Sequence, residues 1–300
     1  MPSAKTILFV LLGVFGVVFC AAWAWELTTR KKWRVPSVFQ GVIGFVTNFF
    51  DTLGIGSFAT TTTIFRLRRV VDDEKIPGTL NIGHTLPTIA QAFIYITIVE
   101  VEMKTLVLMI AATVLGGWLG AGLVTRLPKR RIQIGMGAAL LAASALIVGK
   151  LLFGDPAETG TQGLEGGLLV AGLVGNFAFG ALMMIGVGAY APIMIMVSLL
   201  GMNPKTAFPI MMGSCAFLMP AASIRFIRAE KYDARAALGL AIGGIPAVLI
   251  AAFLVKELPL DVVRWLVVVV VLYTATTMLW SALAASRESG IGGNNEGLKP

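Results

Sequence analysis

The segment GVIGFVTNFFDTLGIGSFATTTT, residues 41–63, decides the fold because two glycines, Gly54 and Gly56, interrupt its apolar run. A helix needs about 20 apolar residues to cross about 30 Å of hydrocarbon. Residues 41–53 would form a helix of about 20 Å and residues 57–65 one of about 14 Å, so neither piece spans a bilayer alone. The segment therefore predicts a helix that breaks at its glycines.

The same pattern recurs in the second half of the chain. Gly41, Gly44, Gly54 and Gly56 correspond, with one gap, to Gly172, Gly175, Gly186 and Gly188, and later matches are Ala59 with Ala191, Lys75 with Lys205, Gly83 with Gly213, and Leu127-Pro128 with Leu258-Pro259. An ordered series of this kind predicts an internal duplication of about 110 residues after one extra helix. The alternative is chance recurrence in a glycine-rich chain.

The composition places both repeats in a membrane. Of the 300 residues, 57% are hydrophobic and only 13% are charged, and the mean hydropathy is +0.85. In a typical soluble domain about 25% of the residues are charged, which is nearly twice that fraction. The apolar residues form blocks at 6–25, 38–65, 79–99, 104–125, 132–152, 166–199, 204–227, 235–255 and 261–284. The pattern predicts an all-α polytopic membrane protein, with block 6–25 as a retained anchor helix or, less simply, a cleaved signal peptide.

The basic residues indicate the path of the broken blocks. If all blocks crossed the membrane, the 24 basic residues would divide equally between the two faces. If 38–65 and 166–199 instead enter, break and return, 18 of the 24 lie on one face. The positive-inside rule favours this second path and makes that face cytoplasmic. A long kinked or tilted helix is the alternative.

A repeat with one re-entrant hairpin and three crossings ends on the side of the membrane opposite to its start. The second copy must therefore be inserted upside down. The prediction is therefore an inverted-repeat transporter fold with about seven full transmembrane helices and two re-entrant hairpins, the N-terminus outside and the C-terminus cytoplasmic. The net charge of +8 then reports orientation in the membrane rather than binding to nucleic acid. The predicted units are an anchor and basic loop at 1–37, repeat 1 at 38–153, an extracytoplasmic linker at 154–166, repeat 2 at 167–285 and a cytoplasmic tail at 286–300.

The breaks also predict a ligand. Half-helices starting at Ser57 and Ala189 would point free N–H groups and positive dipole ends into the membrane, where they favour an anion. Polar residues on block 79–99 would line the same space, because Asn81, His84 and Gln91 recur at helical spacing. The candidate substrate-binding residues are Gly54, Gly56, Ser57, Thr60, Asn81, His84, Gln91, Gly186, Gly188 and Ser214.

Two ionisable residues, Asp51 and His84, are candidates for proton coupling. A carboxylate inside a bilayer costs about 2.5–3.5 kcal/mol unless it is neutralised or faces water. Histidine changes charge near neutral pH. The alternatives are that Asp51 caps a half-helix or lies at the cytoplasmic mouth, and that His84 is a satisfied packing residue.

The sequence gives little support for other chemistry. One histidine and two separated cysteines, Cys20 and Cys215, exclude an H-E-x-x-H zinc site and most metal clusters, and the chain has no P-loop motif. We therefore predict no enzymatic activity, no cofactor and no metal.

The motifs resemble those of the sulfite exporter TauE/SafE family, also called the TSUP permeases. The resemblance covers about residues 38–284 and rests on the two sets of glycines and on Pro77. Members usually have further glycines directly after each break, where this chain has Ser57-Phe58 and Ala189-Tyr190. The family are multi-span carriers implicated in moving sulfite, sulfonates such as sulfoacetate, and other sulfur-containing or organic anions.

Residues and resemblance together predict a secondary transporter of small anions in the cytoplasmic (inner) membrane, acting by alternating access. The resemblance makes sulfite, sulfoacetate or a related organosulfonate the expected substrate. The expected partners are this anion, the lipid bilayer and, as a candidate coupling ion, the proton; the sequence assigns no oligomeric state. The alternatives are a passive anion channel on the same scaffold and a membrane assembly factor without transport.

Overall fold

The fold was obtained as a computed structural model, which describes residues 3–124, 160–183 and 190–257, with single positions and shorter runs within 134–152 and 259–283. The described residues form helices and short turns, with one isolated bridge between Thr161 and Met202 and no β-strand. The helices are α1 (Ala4–Thr29), α2 (Val38–Thr52), α3 (Ser57–Arg68), α4 (Ile76–Ile98), α5 (Met103–Val124), α6 (Gly166–Met183), α7 (Tyr190–Leu199), α8 (Ala207–Arg228), α9 (Ala234–Glu257) and α10 (Val268–Thr277). The prediction of an all-α membrane protein is confirmed.

Several of these helices are long and apolar enough to cross a membrane. Within the described residues, four candidate spans lie at Ala4–Thr29, Gly166–Met183, Pro204–Arg228 and Ala234–Leu254. Helix α4 has 23 residues, about 34 Å, and is long enough to cross as well. It falls below the hydropathy of a typical span because it carries polar residues such as His84 and Gln91.

Helix α2 begins at a capping box. The Ser37 hydroxyl accepts a hydrogen bond from the Gln40 amide at 3.2 Å, and the Gln40 side chain accepts one from the Ser37 amide at 2.9 Å. Two N–H groups that lack partners within the helix are thereby satisfied, which is worth about 1 kcal/mol for a good N-cap. The start of α2 is therefore encoded locally.

The end of α2 is encoded by the predicted glycines. The chain leaves the helix after Thr52, and both Gly54 and Gly56 have positive φ, +95° and +87°. Residues with a Cβ rarely adopt such a backbone. A Cβ at Gly54 would also lie 2.8 Å from the Met194 sulfur of α7. The break in the first half of the chain is thus present, and it contacts α7 in the second half.

Glycine contacts join helices from the two halves. In the α2–α9 pair, a Cβ at Gly44 would lie 2.7 Å from the backbone of Leu240, and Gly243 faces the Gly41 carbonyl. In the α5–α6 pair, Gly116 faces the Phe177 carbonyl and Gly180 faces the Thr113 carbonyl. Small residues let membrane helices approach closely, so dispersion replaces the hydrophobic effect that the bilayer lacks.

Helices α4 and α8 cross each other at the centre of the molecule. Thr85 of α4 and Ser223 of α8 share a hydrogen bond of 3.1 Å. Ten residues later in α4 and fifteen residues earlier in α8, Tyr95 stacks on Phe208, with ring centroids 5.0 Å apart. The two helices are therefore antiparallel, and α1 covers them from one side through the Phe9–Phe93 and Phe15–Phe217 ring pairs.

A charged cluster ties the end of α1 to the loop between α8 and α9. Glu26 is buried and binds Lys32 at 3.0 Å, while Glu230 of the loop binds both Lys32, at 3.3 Å, and Arg30. The Tyr232 hydroxyl donates to Glu26, and burial together with this bond raises the pKa of Tyr232. The cluster holds α1 against the helices that it covers.

Candidate functional site

A buried polar group lies at the break between α2 and α3. Asp51, the penultimate residue of α2, is 1% exposed, and its Oδ1 accepts a hydrogen bond of 2.6 Å from the backbone amide of Ser57, the first residue of α3. Its Oδ2 accepts one of 3.0 Å from Nε2 of Gln91 in α4. The carboxyl group thus joins three helices, and it occupies the helix N-terminus at which the sequence predicted a free N–H group.

Helix α4 contributes two further contacts to this group. Gln91 Nε2 also donates to the Thr52 hydroxyl at 2.8 Å, and the Tyr95 hydroxyl donates to the Thr52 carbonyl at 2.8 Å. The side-chain oxygen of Gln91, Oε1, is buried and has no hydrogen-bond partner in the described part of the chain. An acceptor left unpaired at this depth costs free energy unless a donor, from water or a ligand, reaches it.

The second half of the chain reaches the same carboxyl group. The side chain of Tyr190, the first residue of α7, lies close enough to interact with the Asp51 carboxyl and with the Cys215 thiol of α8. The residues that interact with the Asp51 carboxyl therefore come from both halves of the chain. We call this set of residues, Asp51, Thr52, Ser57, Gln91, Tyr95, Tyr190 and Cys215, the Asp51 group.

His84 belongs to a separate polar contact deeper along α4. Asn48 of α2 donates its Nδ2 to the Gly44 carbonyl at 2.7 Å, which turns its Oδ1 toward His84 Nδ1 at 3.0 Å. Nδ1 must then carry the proton, and Nε2 accepts from the Thr61 hydroxyl of α3 at 3.1 Å. Both ring nitrogens of a neutral imidazole are satisfied, and the fully buried ring links α2, α3 and α4.

The structure brings some predicted residues together and separates others. Gly54, Ser57, Gln91 and Asp51 lie at one place. Thr60 donates to the Ser57 carbonyl within α3 at 2.9 Å, and Asn81 donates to the Pro77 carbonyl within α4 at 2.9 Å. Ser214 donates to Thr113 of α5 at 3.1 Å. Gly56 lies at the start of α3, where a Cβ would meet open space, and Gly186 and Gly188 lie outside the described residues.

Sequence reasoning missed Thr52, Thr61, Tyr95, Tyr190 and Asn48. Tyr95 had a signal, because it follows Gln91 by four residues and so continues the polar face of α4 by one turn. Tyr190 was noted as a bulky departure from the glycines of the family, without a partner. The contact between α7 and the end of α2 joins residues about 140 positions apart, which no local pattern indicates.

A cavity opens at the end of the molecule where α4 ends and α5 begins. Its volume is about 150 Å³, and its lining includes Tyr95, Glu100, Gln162, Asn203, Lys205 and Phe208. The opposite end of the molecule has a wider depression lined by Arg66, Arg69, Val71 and Asp72. Among the described residues, no three His, Cys, Asp or Glu side chains are grouped so that they could hold a metal ion.

Comparison with protein families gives one match. The model for the family described as Sulfite exporter TauE/SafE matches residues 2–147 and 168–298. The match covers nearly the whole chain and confirms the resemblance seen in the glycine motifs. Comparison with curated proteins and with solved structures finds no match.

Proposed function

We propose that this chain, which belongs to the sulfite exporter TauE/SafE family, is a secondary transporter that moves a small sulfur oxyanion or organosulfonate by alternating access. The family indicates a membrane transporter of sulfur anions. Sulfite and sulfoacetate are the substrates that we propose. The observation that carries the mechanism is the 2.6 Å hydrogen bond from the Ser57 amide to the Asp51 carboxyl.

The first part of the proposal is that α2 and α3 form a re-entrant hairpin. Asn48 lies four residues before the end of α2, Thr61 lies four residues after the start of α3, and both bond the same histidine. This supports a chain that turns back at the break. The core cluster that contains both Ile43, near the start of α2, and Phe65, near the end of α3, supports the same path.

The second part is that α6 and α7 form an equivalent hairpin in an inverted repeat. Gly172 of α6 faces Leu200, which directly follows α7, and Gly175 faces Met196. The contacts between helices are equivalent in the two halves of the chain. Helix α2 packs on α9 as α6 packs on α5, and α4 packs on α9 as α8 packs on α5. Helices α4 and α8 also pack on each other. Both observations support hairpins that face each other across the central α4–α8 pair.

The third part is that Asp51 and the substrate compete for one site. The N-terminus of α3 stabilises a negative charge through its N–H groups and its dipole, and ionised Asp51 supplies that charge when no substrate is bound. Two unit charges about 4 Å apart repel by about 4 kcal/mol at an effective dielectric constant of 20, which is about a thousandfold in affinity. An anion therefore binds there only after Asp51 is protonated or turned away.

Competition of this kind couples the anion to a proton. Protonation neutralises Asp51, frees the Ser57 amide and lets the anion take its place, so one proton and one anion cross together. In the described part of the chain, the titratable groups that interact with Asp51 are Tyr95, Tyr190 and Cys215, all neutral near pH 7 in their ordinary states. Both ring nitrogens of His84 already have hydrogen-bond partners, Asn48 and Thr61, when the ring is neutral. Asp51 is therefore the residue that we propose for coupling.

The test is transport of labelled sulfoacetate by purified protein in proteoliposomes. We expect the wild type to bind sulfoacetate more tightly as the pH falls between about pH 8 and 5, a range in which both acidic groups of the substrate stay ionised. Asp51→Asn keeps the size of the side chain but not its charge. This variant should bind with little dependence on pH, retain counterflow, and lose uptake driven by a pH gradient.

Two matched variants complete the test. Asp72→Asn removes a carboxylate from an exposed loop and should leave the pH dependence unchanged. His84→Gln should also keep it, although the loss of one contact lowers stability. Wild-type pH dependence in Asp51→Asn would refute the coupling mechanism. Flux without saturable counterflow would indicate a channel, and no sulfoacetate flux or binding would favour an assembly factor.

A further inference from the structure

The cavity where α4 ends and α5 begins lies directly over the Asp51 group. Its floor contains Tyr95 and Phe208, both with no exposed side-chain area, and their stacked rings come from α4 and α8. Below the rings, the Tyr95 hydroxyl donates to the Thr52 carbonyl, and Thr52 shares the Gln91 amide with Asp51. Tyr95 thus connects the cavity to the carboxyl group through Thr52 and Gln91.

The lining of the cavity offers donors for an anion. Lys205 carries a positive charge, and Asn203 accepts the Lys205 amide at its Oδ1, which leaves Nδ2 as its donor. Gln162 adds a second amide. Glu100 lies in the same lining, so the cavity carries one charge of each sign and recognition depends on how the donors are placed. The volume of about 150 Å³ far exceeds the roughly 10–15 Å³ that admits one water.

We propose that this cavity is an entry site for a small sulfonate or sulfur oxyanion, and that Tyr95 and Phe208 form the gate between it and the Asp51 group. The proposal rests on the transport function proposed above. The two rings belong to opposite repeats, so a shift of α4 against α8 separates them. The hydroxyl of Tyr95 connects the gate to the break, because any movement of the end of α2 pulls on the Thr52 carbonyl.

The chain contains its own reporter for this gate. Cys215 lies seven residues after Phe208 in α8, so both occupy one face of the helix and Cys215 is about 10 Å deeper. Its side chain is buried and interacts with Tyr190 of the Asp51 group. A reagent that enters the cavity must pass the gate before it reaches this thiol. The other cysteine, Cys20, is exposed on α1 and is replaced by serine in every variant.

The experiment measures how fast the membrane-impermeant reagent 2-sulfonatoethyl methanethiosulfonate modifies Cys215 in intact cells. Phe208→Ala should raise the rate about tenfold or more, because the missing ring leaves a void in the gate. Tyr95→Phe keeps the ring and removes the hydroxyl, and should raise the rate less. Sulfoacetate in the medium should slow the reaction by occupying the cavity.

Phe217→Ala is the matched control. Phe217 lies on the same helix but packs on Phe15 of α1, so Phe217→Ala removes the same side-chain atoms outside the gate. If Cys215 is modified no faster in Phe208→Ala than in Phe217→Ala, the proposal is overturned. If Phe208→Ala fails to give a folded elution peak, the pair Phe208→Leu and Phe217→Leu decides in the same way, with a smaller increase expected for Phe208→Leu.

A second comparison tests the choice of ligand. The trimethylammonium analogue of the reagent has the opposite charge, and an anion site should make the sulfonate react faster with Phe208→Ala. Lys205→Gln should reduce this preference, and an unchanged preference would overturn the anion assignment. Acceleration seen only in inside-out vesicles supports the gate and overturns the proposed orientation. All of these rates are compared between variants at one pH, at which Asp51 is in the same state, so gate and coupling mechanism can fail separately.

Discussion

At the scale of the residue, the glycines of one motif serve different purposes. Gly56 has φ +87° and ψ 127°, a conformation that residues with a Cβ rarely adopt, and a Cβ there would meet open space. Gly41 is helical, and a Cβ there would also meet nothing within 4 Å. At position 56 the backbone conformation requires glycine. At position 41 the helical backbone does not require it, and the contact found there is that of the Gly41 carbonyl with Gly243.

This difference gives a prediction about stability. Gly56→Ala should destabilise the protein by about 1–3 kcal/mol, because the strained backbone remains when the side chain is added. Gly41→Ala is the matched control and should be neutral or stabilising by up to about 1 kcal/mol, since alanine favours a helix over glycine. Midpoints of thermal unfolding in detergent, read from the folded elution peak, measure both. Equal midpoints would contradict the assignment of strain to the break.

Residue chemistry was predictable only where it is local. The glycine break, the buried Asp51 and the polar face of α4 follow from spacing and composition, and Gly54, Asp51 and Gln91 meet at one place. The bond from the Ser57 amide to Asp51 was weighed only as a possible cap, because a chain pattern does not say which acceptor reaches a free N–H group. The contacts of Tyr190 and Phe208 depend on how distant helices dock, so no window of sequence contains them.

At the scale of the element, close packing depends on glycine facing the neighbouring backbone. In the α2–α9 pair, Gly243 faces the Gly41 carbonyl and Gly44 faces the backbone of Leu240. Side chains at either position would force the helices apart. Close contact between the backbones, which the glycines allow, therefore fixes the position of α2 against α9. Specific polar bonds do not fix it.

Substitution in this contact should affect folding more than substitution on a free face. Gly243→Leu is expected to reduce the folded fraction strongly, because its Cβ would overlap the backbone of α2. Gly13→Leu is the control, since a Cβ at Gly13 of α1 meets nothing within 4 Å. The area of the folded elution peak of a fluorescent fusion compares the two. A folded fraction for Gly243→Leu as high as for Gly13→Leu would disprove this packing argument.

At the scale of the whole molecule, the ends of the helices separate two faces. The loops at 69–75 and 229–233 lie together, because the Asp233 amide donates to Thr79 at 2.8 Å and Gly78 faces the Lys231 carbonyl. The segment 160–164 lies at the other end, where Gln162 accepts from the Glu102 amide. Nine simple crossings would put 66–75 and 225–235 on opposite sides of the bilayer, whereas two hairpins put them on one side.

Single cysteines in a variant without Cys20 and Cys215 distinguish these paths. We expect impermeant maleimide to label Glu74→Cys and Lys231→Cys from the cytoplasmic side and Gln162→Cys from outside, because these exposed positions lie at opposite ends of the molecule. Comparison of intact cells with inside-out vesicles gives the side. Labelling of Glu74→Cys and Lys231→Cys from different sides would refute the re-entrant path, whatever the substrate is.

In the proposed arrangement helix α1 lies outside both repeats, and it contacts both central helices through Phe93 of α4 and Phe217 of α8. If the repeats exchange roles during transport, their symmetry alone makes the two end states equal in energy. Helix α1 packs on one side of the central pair only, and ion pairs of Glu26 and Glu230 hold it there. It therefore makes the two end states unequal in energy. The transporter then rests in one state by default, so initial rates measured with substrate on one side only differ between the two sides, while the two fluxes stay equal at equilibrium.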